Sequence, residues 1–331
     1  MIPNWLLGKS KSKLQEILGG GGGGTTYTAG EGIDITENEI SVDPVLLSDI
    51  SDVSDAIPLK AAKTQITNPN ILHNPWFQVN QRGVTTSTST GYFVDRWLTY
   101  KPSAGTATFT LNSDGTITID NSLGEKPAYF VQKRTSKTMS RVAGKTITMS
   151  VMLSDGSVRS GSGIYSDTEA KNYYTDDDIR LQSNPQTHGE FFLLRIESGK
   201  TVTIKALKFE IGEISTLAMD TAPDMATELL KCQRYFQRIS GVENALLGIC
   251  YSYSSTKSTL TISLPVLMRA TPSLTKSGTF KIGGNIVSAM SATALSANIL
   301  TLDLTSSSLA EYAAARLFFG ASAYIDLSAE L

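Results

Sequence analysis

Short stretches in which apolar and polar residues alternate recur along most of the chain from Asn68 onwards. In KTITMSVML, for example, Ile147, Met149 and Val151 alternate with threonine and serine. This period of two is typical of β-strands that have one buried face and one solvated face. Turn residues separate the stretches, and the chain is rich in Ser, Thr and Gly. The pattern therefore predicts an all-β protein.

Two β modules are predicted, the first at residues 68–215 and a distal one at residues 240–331. The number of alternating stretches in the first module fits a two-sheet sandwich of jelly-roll type. A small sandwich is expected for the shorter distal module. The predicted strands of the first module are TATFTL, GTITID, AYFVQKR, KTITMSVML, EFFLLRI and TVTIKALKFEIG, and those of the distal module are ALLGICYSY, STLTISLPVLM, TFKIG, NILTLDL and RLFFGASAYIDL.

A helical period lies between the two modules, and residues 216–239 are predicted to form a linker helix. Thr221 and Asp224 resemble a capping-box start, with Pro223 in the first turn. The apolar positions follow a period that predicts a narrow apolar seam. This seam packs either on its own sandwich or on two symmetry-related copies, and the sequence favours neither. The seam consists of Met225, Leu229, Cys232, Phe236 and Ile239.

The first eighteen residues are predicted to form a short amphipathic helix that anchors the chain to a partner. Residues 19–24 are all glycine, and such a run behaves as a flexible tether rather than as part of a packed core. A frayed terminus and a helix lying on a membrane surface are the alternatives. The apolar residues that favour the anchor are Trp5, Leu6, Leu7, Leu14, Ile17 and Leu18.

Residues 25–67 are predicted to form a β-hairpin followed by a short coiled-coil stalk. Ile33 and Ile35 alternate with polar residues before a polar turn, and Ile40 and Val42 follow it. An isolated hairpin is marginal in water, so copies from other chains would stabilise it. The next apolar residues have heptad spacing with β-branched side chains, which favours three strands over two, an ordinary surface helix being the alternative. This trimer seam consists of Leu46, Ile50, Val53 and Ile57.

Charge and cysteine content exclude several classes of function. The 29 basic and 31 acidic residues nearly cancel, so nucleic acid is not an expected partner. No apolar run is long enough to span a bilayer and no cleavable signal is visible, so no membrane partner is expected. The two cysteines, Cys232 and Cys250, are predicted to be buried and unpaired.

Four segments, taken in order, resemble an arrangement found in tail-fibre and related structural proteins of bacteriophages and prophages. They are NPWFQVNQRG, GYFVDRW, KFEIGEIST and PDMATELLKCQRYFQRI, and the resemblance covers roughly residues 68–239. The distal LPVLMRATPSL is similar to distal fibre domains. The resemblance implies a carbohydrate-binding-module-like jelly roll, then a linker and a distal domain.

The resemblance also implies a location and a role. The protein is expected to be made in the host cytoplasm and to become part of the virion as a homotrimer. Its N-terminus would attach to other phage structural proteins, and its β modules would adhere to glycan on the bacterial surface. A capsid head fibre or decoration protein is the alternative, and a glycan-degrading tail spike is less favoured because the β-helix repeats of such spikes are not visible.

Catalytic and metal chemistry are not expected from the residues, and no cofactor is predicted. His73 and His188 lack the spaced partners that a metal site needs, and are interpreted as structural or surface residues. The Ser160–Gly163 segment resembles a nucleophile motif only in its letters, since it is interpreted as a loop with no helix after it. The protein is therefore predicted not to be an enzyme.

A glycan site in the first module is predicted near a run of three aspartates. Aromatic faces stack on pyranose rings and carboxylates accept hydrogen bonds from hydroxyl groups. A solvated acidic loop is the simpler interpretation, and calcium binding at Asp176–Asp178 stays open. The predicted glycan-binding residues are Tyr165, Tyr173, Tyr174, Asp176 and Arg180. A second aromatic set is interpreted as packing rather than as a binding platform: Trp76, Phe77, Tyr92, Arg96 and Trp97.

Overall fold

The computed structural model of the chain describes residues 33–36, 39–42, 67–101, 105–184, 190–296 and 298–330. The chain divides into two compact units, Met1–Ile66 and Thr67–Leu331. Strands make up most of the regular structure, and they form several antiparallel sheets. The predicted all-β class is therefore confirmed. Within these residues, no helix has the length and the apolar character that crossing a bilayer requires.

The first unit contains the predicted hairpin. Strand β1 (Ile33–Thr36) pairs with β2 (Glu39–Val42) in antiparallel register, and Ile35 lies opposite Ile40. The hairpin prediction is confirmed for these two strands. The anchor helix at residues 1–18, the glycine tether at 19–24 and the trimer seam at 46–57 lie outside the described residues, so they stay predictions.

Two six-stranded antiparallel sheets form the first part of the second unit. In spatial order the first sheet contains β10 (Val158–Ile164), β9 (Thr146–Leu153), β14 (Lys200–Ile211), β7 (Ile117–Asn121), β6 (Thr108–Leu111) and β3 (Thr86–Ser87). The second sheet contains β11 (Lys171–Thr175), β12 (Ile179–Asn184), β13 (Glu190–Ile196), β8 (Ala128–Arg134), β5 (Leu98–Tyr100) and β4 (Gly91–Tyr92).

The two sheets enclose one hydrophobic core. Its centre is aromatic: Trp97 stacks on Phe130 with ring centroids 4.7 Å apart, and Phe77 and Phe192 contact Trp97 edge-on. All four of these rings are buried. The six stretches predicted as strands in this module are strands in the structure, because alternation places their apolar residues in this core.

Ser160–Gly163 was predicted to be a loop, and this prediction is wrong. These residues form part of β10, which pairs with β9 along its whole length. Gly161 lies at the edge of the first sheet, and a Cβ there would overlap the carbonyl oxygen of Tyr173 in β11. The small residues therefore let the edges of the two sheets approach each other.

The linker helix is shorter than predicted. After the single turn of α1 (Ser136–Met139) and a 3-10 turn at Leu217–Met219, α2 runs from Met225 to Gln233. Its N-cap is Asp224, whose side chain accepts a hydrogen bond from the Thr227 N–H, and Thr221 lies outside the helix.

The end of the predicted seam belongs to a strand instead. Phe236 and Ile239 lie in β15 (Phe236–Ser240), which pairs with β23 (Tyr324–Ser328) near the C-terminus. Of the seam residues within α2, Cys232 is buried, whereas Met225 is exposed. A sheet partner distant in sequence has overridden the local helical period.

The distal part forms a closed barrel rather than the predicted small sandwich. A three-stranded sheet, in the order β15, β23 and β18 (Ser273–Ser277), shares the core of the barrel. Bulges in β16 (Leu246–Ser252) and β20 (Asn285–Ser296) allow the sheet to curve until β22 (Ala313–Phe319) pairs with both β16 and β19 (Phe280–Ile282). The barrel consists, in spatial order, of β16 (Leu246–Ser252), β17 (Lys257–Ser263), β21 (Ile299–Ser306), β20 (Asn285–Ser296), β19 (Phe280–Ile282) and β22 (Ala313–Phe319).

Both cysteines are buried and unpaired, as predicted. Cys232 lies in α2 and Cys250 in β16. Burial raises the pKa of Cys232 far above its usual value and raises the pKa of Cys250 to about 12. Both thiols therefore stay protonated at neutral pH and act as packing groups.

Candidate functional site

The outer face of the second sheet carries two rows of side chains that are set by strand register. One row crosses the sheet from Tyr100 in β5 to Tyr129 in β8 and Arg195 in β13, and it ends at Arg180 in β12. Each of these residues lies directly opposite its neighbour, so the side chains are close.

The second row runs parallel to the first and is mostly apolar. Leu98 lies opposite Val131, which in turn lies opposite Leu193, and Gln182 ends the row. Val131 is 2% exposed although it points away from the sandwich core, because its neighbours cover it. The row thus forms an apolar floor on a face that alternation alone would assign to solvent.

These rows line a groove of about 700 Å³, here called the tyrosine groove. Its wall includes hydroxyl, amide, ammonium and guanidinium groups beside the apolar floor. Sites of this size that combine aromatic and apolar surface with a few polar groups are typical of small-molecule and saccharide binding. The lining residues are Thr90, Leu98, Tyr100, Tyr129, Val131, Lys133, Gln182, Asn184, Leu193 and Arg195.

Two tyrosines provide the aromatic surface of the tyrosine groove. The ring centroids of Tyr100 and Tyr129 are 5.6 Å apart, and their planes are tilted by 49°. Tyr100 is 46% exposed, and Tyr129 is half-buried. An exposed ring face next to a second, tilted ring offers a surface on which the apolar face of a sugar ring can stack.

A charged cluster borders the groove beyond Tyr129. Arg195 donates a hydrogen bond through Nη2 to Glu197 Oε2 at 2.9 Å, and Arg180 Nε lies 2.7 Å from Glu197 Oε1. One carboxylate is therefore shared by two guanidinium groups. The cluster keeps one net positive charge, from two cations and one anion.

Tyr165 and Tyr173 do not form the binding surface predicted for them. Tyr165 is 2% exposed and packs against Phe209 in the core, with ring centroids 6.1 Å apart. Tyr173 is 8% exposed, and its hydroxyl lies 3.3 Å from the Ser183 hydroxyl. Alternation in β11 turns Tyr173 inward, so neither ring is available to stack on a ligand.

In the acidic turn between β11 and β12, the carboxylates of Asp176 and Asp178 are bonded to neighbouring groups of the protein. Asp176 accepts hydrogen bonds from Arg159, from the Tyr174 hydroxyl and from two backbone N–H groups of the turn. Lys200 lies 2.9 Å from Asp178, and its hydrogen bond lowers the pKa of that carboxyl. Arg180, the last predicted residue, borders the tyrosine groove instead. The structure thus buries Tyr165 and Tyr173, joins Tyr174 to Asp176 by a hydrogen bond, and places Arg180 beside Glu197.

No protein-family model matches this chain, and no curated protein matches it either.

Three of the four segments that carry the fibre resemblance meet inside the molecule around Asn74. Its side chain donates to the carbonyl oxygens of Val79 and Asp95 and accepts from the Val79 N–H. The Trp97 indole donates to the Asn74 carbonyl at 2.8 Å, and the Asn74 N–H donates to Glu228 of α2 at 2.7 Å. Helix α2 therefore packs on its own first module.

The KFEIGEIST segment forms a second buried polar network. Lys208 is fully buried, and its Nζ lies 2.7 Å from Asp220 and 3.5 Å from Glu210. Glu210 in turn accepts a hydrogen bond from the Thr216 N–H at 2.8 Å. The charges are paired within the fold, and removing one partner would leave the other buried and unpaired, which is costly.

The second aromatic set mainly packs, as interpreted from the sequence. Phe77, Arg96 and Trp97 are buried, whereas Trp76 and Tyr92 are half-buried. Phe77 and Arg96 have φ angles of 59° and 73°, so the backbone of both motifs turns sharply beside Asn74. In NPWFQVNQRG and GYFVDRW, these residues therefore stabilise the sharp turns of the backbone.

His73 is structural in the part of the chain that the structure describes, and His188 lies outside it. Burial, aided by Arg134, lowers the pKa of His73 to about 2. Its ring contacts Tyr235 edge-on, with centroids 5.6 Å apart. Among the described residues, no group of three or more side chains is arranged to hold a metal ion.

The tyrosine groove was missed by the sequence analysis, although β8 carries a signal for it. In AYFVQKR, Phe130, Gln132 and Arg134 point inward, which leaves Tyr129 and Val131 on the outer face. Large apolar residues on both faces of a strand indicate that the outer face is also covered or used. The partners on β5 and β13 become visible only with the register.

Proposed function

We propose that this chain is a phage virion fibre whose first module binds saccharide on the bacterial surface in the tyrosine groove. The observation that carries this proposal is the Tyr100–Tyr129 pair above an apolar floor, bordered by hydrogen-bonding side chains. Stacking on aromatic rings, with polar groups at the rim, is a common way for proteins to hold sugars. The role is adhesion without catalysis.

The virion assignment rests on the resemblance of the four segments and on the layout of the chain. The first module is proposed to be a carbohydrate-binding-module-like jelly roll. The first eighteen residues would anchor the chain to other phage structural proteins, and the glycine tether at residues 19–24 would connect this anchor to the rest of the chain. The heptad seam would hold three copies together, and the hairpin β1–β2 supports this, since an isolated hairpin is marginal.

A capsid head fibre or decoration protein with a mainly structural role is the second candidate. It is favoured by the burial of the resembling segments, whose key residues Asn74, Arg96 and Lys208 hold the fold together. A structural role would leave the tyrosine groove without a ligand, so cell-wall binding separates the two candidates.

The test is the binding of purified full-length protein to isolated walls of the bacterium that the phage infects. We expect a Tyr100→Ala, Tyr129→Ala double variant to bind at least about tenfold more weakly, because it loses both stacking surfaces. The matched control is Tyr251→Ala with Tyr253→Ala, which removes two exposed tyrosines from the distal part and is expected to keep wild-type binding.

Release of soluble sugar from the walls is measured in the same samples. Binding without release supports adhesion, and release would support the tail-spike class instead. If the unmodified protein does not bind, or if the groove variant binds as well as the control, the adhesion proposal is wrong.

A further inference from the structure

We infer that the tyrosine groove is built for an anionic saccharide, one that carries carboxylate or phosphate groups. This inference rests on the proposed function and specifies its ligand class. The ten lining residues include two cations, Lys133 and Arg195, and no carboxylate. The described lining residues thus carry a formal charge of +2, although the whole chain has a net charge of −2.

Arg195 is placed next to the stacking surface. It lies directly opposite Tyr129 in the register of β13 and β8, where side chains of paired residues are about 5 Å apart at Cβ. An acidic sugar ring that stacks on the tyrosines would therefore bring its charged group close to this guanidinium. A planar guanidinium suits carboxylate and phosphate oxygens, to which it donates two hydrogen bonds at once.

The guanidinium of Arg195 is only partly used within the protein. Its Nη2 is bonded to Glu197, and the side chain is 24% exposed. Glu197 is shared with Arg180, so it does not neutralise both arginines. An anionic group of the ligand would neutralise the remaining positive charge of this cluster.

Lys133 provides the second cation from the neighbouring strand. It lies on β8 two residues beyond Val131 and four beyond Tyr129, on the same face of the sheet. The two cations therefore lie on opposite sides of the Val131–Leu193 floor, with Arg195 level with Tyr129. A saccharide with anionic groups on successive units could contact both cations.

Chemically treated walls test this inference with the full-length protein. Walls of the infected bacterium are compared untreated, after amidation of carboxylates with a carbodiimide, and after cleavage of phosphodiesters with hydrofluoric acid. We expect one treatment to reduce binding at least about tenfold and thereby to identify the anion as carboxylate or phosphate. Binding to untreated walls is also expected to weaken with added salt, which screens partly exposed charges.

Variants assign the effect to the groove. A Lys133→Gln, Arg195→Gln double variant is expected to bind untreated walls at least about tenfold more weakly. The control Lys257→Gln with Arg316→Gln, which removes two exposed cations of the distal barrel, is expected to bind normally. Circular dichroism confirms that each variant is folded.

The outcomes separate this inference from the proposed function. If the protein binds untreated walls, and neither treatment nor the groove variant reduces binding, the ligand is not anionic and adhesion still stands. If a treatment reduces binding but the groove variant does not, the anion binds elsewhere and the inference is wrong. If untreated walls are not bound at all, both proposals fail.

Discussion

Replacing Arg96 with alanine is expected to destabilise the second unit by about 3–5 kcal/mol, because it leaves a buried carboxylate with a weaker partner. Arg96 is fully buried and forms an ion pair with Glu330 near the C-terminus. It also donates to the Lys133 carbonyl at 2.7 Å, and its guanidinium lies 3.5 Å above the Tyr235 ring. One side chain thus ties β8 to the C-terminal residues.

The expected loss of stability in Arg96→Ala does not come from a change in backbone strain. Arg96 has a positive φ of 73°, a conformation that arginine and alanine tolerate equally poorly. After the substitution, Glu330 keeps only Arg82 among its described ion pairs, at 3.5 Å. The free energy of unfolding is measured by chemical denaturation of the full chain.

A surface ion pair provides the control. Arg159 lies 2.5 Å from Asp176, and both side chains are more than a quarter exposed. Arg159→Ala is expected to cost less than about 1 kcal/mol, since exposed pairs contribute little. Equal costs for Arg96→Ala and Arg159→Ala would contradict the structural role of the Arg96–Glu330 pair.

The pH dependence of stability is expected to contain two opposing contributions, from His73 and Asp95. Burial lowers the pKa of His73 to about 2, whereas burial raises the pKa of Asp95 to about 6, despite the opposing effect of Arg82. Each group changes the free energy of unfolding by about 1.4 kcal/mol per pH unit, between its folded and unfolded pKa.

The signs follow from which state binds the proton. Below about pH 6.5 the unfolded chain protonates His73 and the folded chain does not, so stability from His73 is lost as the pH falls. Between about pH 4 and pH 6 the folded chain protonates Asp95 and the unfolded chain does not, so stability from Asp95 is lost as the pH rises. Between about pH 4 and pH 6, the contributions of His73 and Asp95 to the pH dependence of the free energy of unfolding therefore cancel.

Single variants separate the two slopes. As the pH falls from 6 to 4, the free energy of unfolding of His73→Phe is expected to rise by about 2–3 kcal/mol relative to that of the parent. The free energy of unfolding of Asp95→Asn is expected to fall by about the same amount. Denaturant unfolding at several pH values measures the slopes, which do not depend on any constant cost of the substitutions. Parallel curves for the parent and both variants would contradict this assignment.

Alternation predicted the strands well where one face is buried in a large core. KTITMSVML and TVTIKALKFEIG are strands because their inward residues meet the same core from two neighbouring strands, β9 and β14. The start of the helix was predicted to within one turn: the capping-box pattern began at Thr221, whereas the N-cap in the structure is Asp224, three residues later.

Long-range pairing accounts for the parts that were wrong. The helical period reaches Ile239, yet pairing with β23 ends the helix at Gln233. Bulges such as the one between Leu246 and Gly248 help to close the distal barrel, and alternation does not reveal them. Such contacts join residues far apart in sequence, which local patterns do not encode.

The residues of the candidate site also could not be predicted from local sequence patterns. Tyr173 and Tyr174 are adjacent in sequence, but Tyr173 is buried in the core, whereas Tyr174 packs against that core and stays partly exposed, next to a bulge in β11. Tyr100, Tyr129 and Arg195 lie on three strands and become neighbours only through register. The resembling motifs were visible because they are contiguous, and the structure places their key residues inside the fold.

A crystal structure of the full chain with oligosaccharides released from the host wall tests the central claim most directly. The account predicts a sugar ring stacked on Tyr100 and Tyr129, with an anionic group bonded to Arg195. A saccharide bound at another surface, with the tyrosine groove empty, would contradict it.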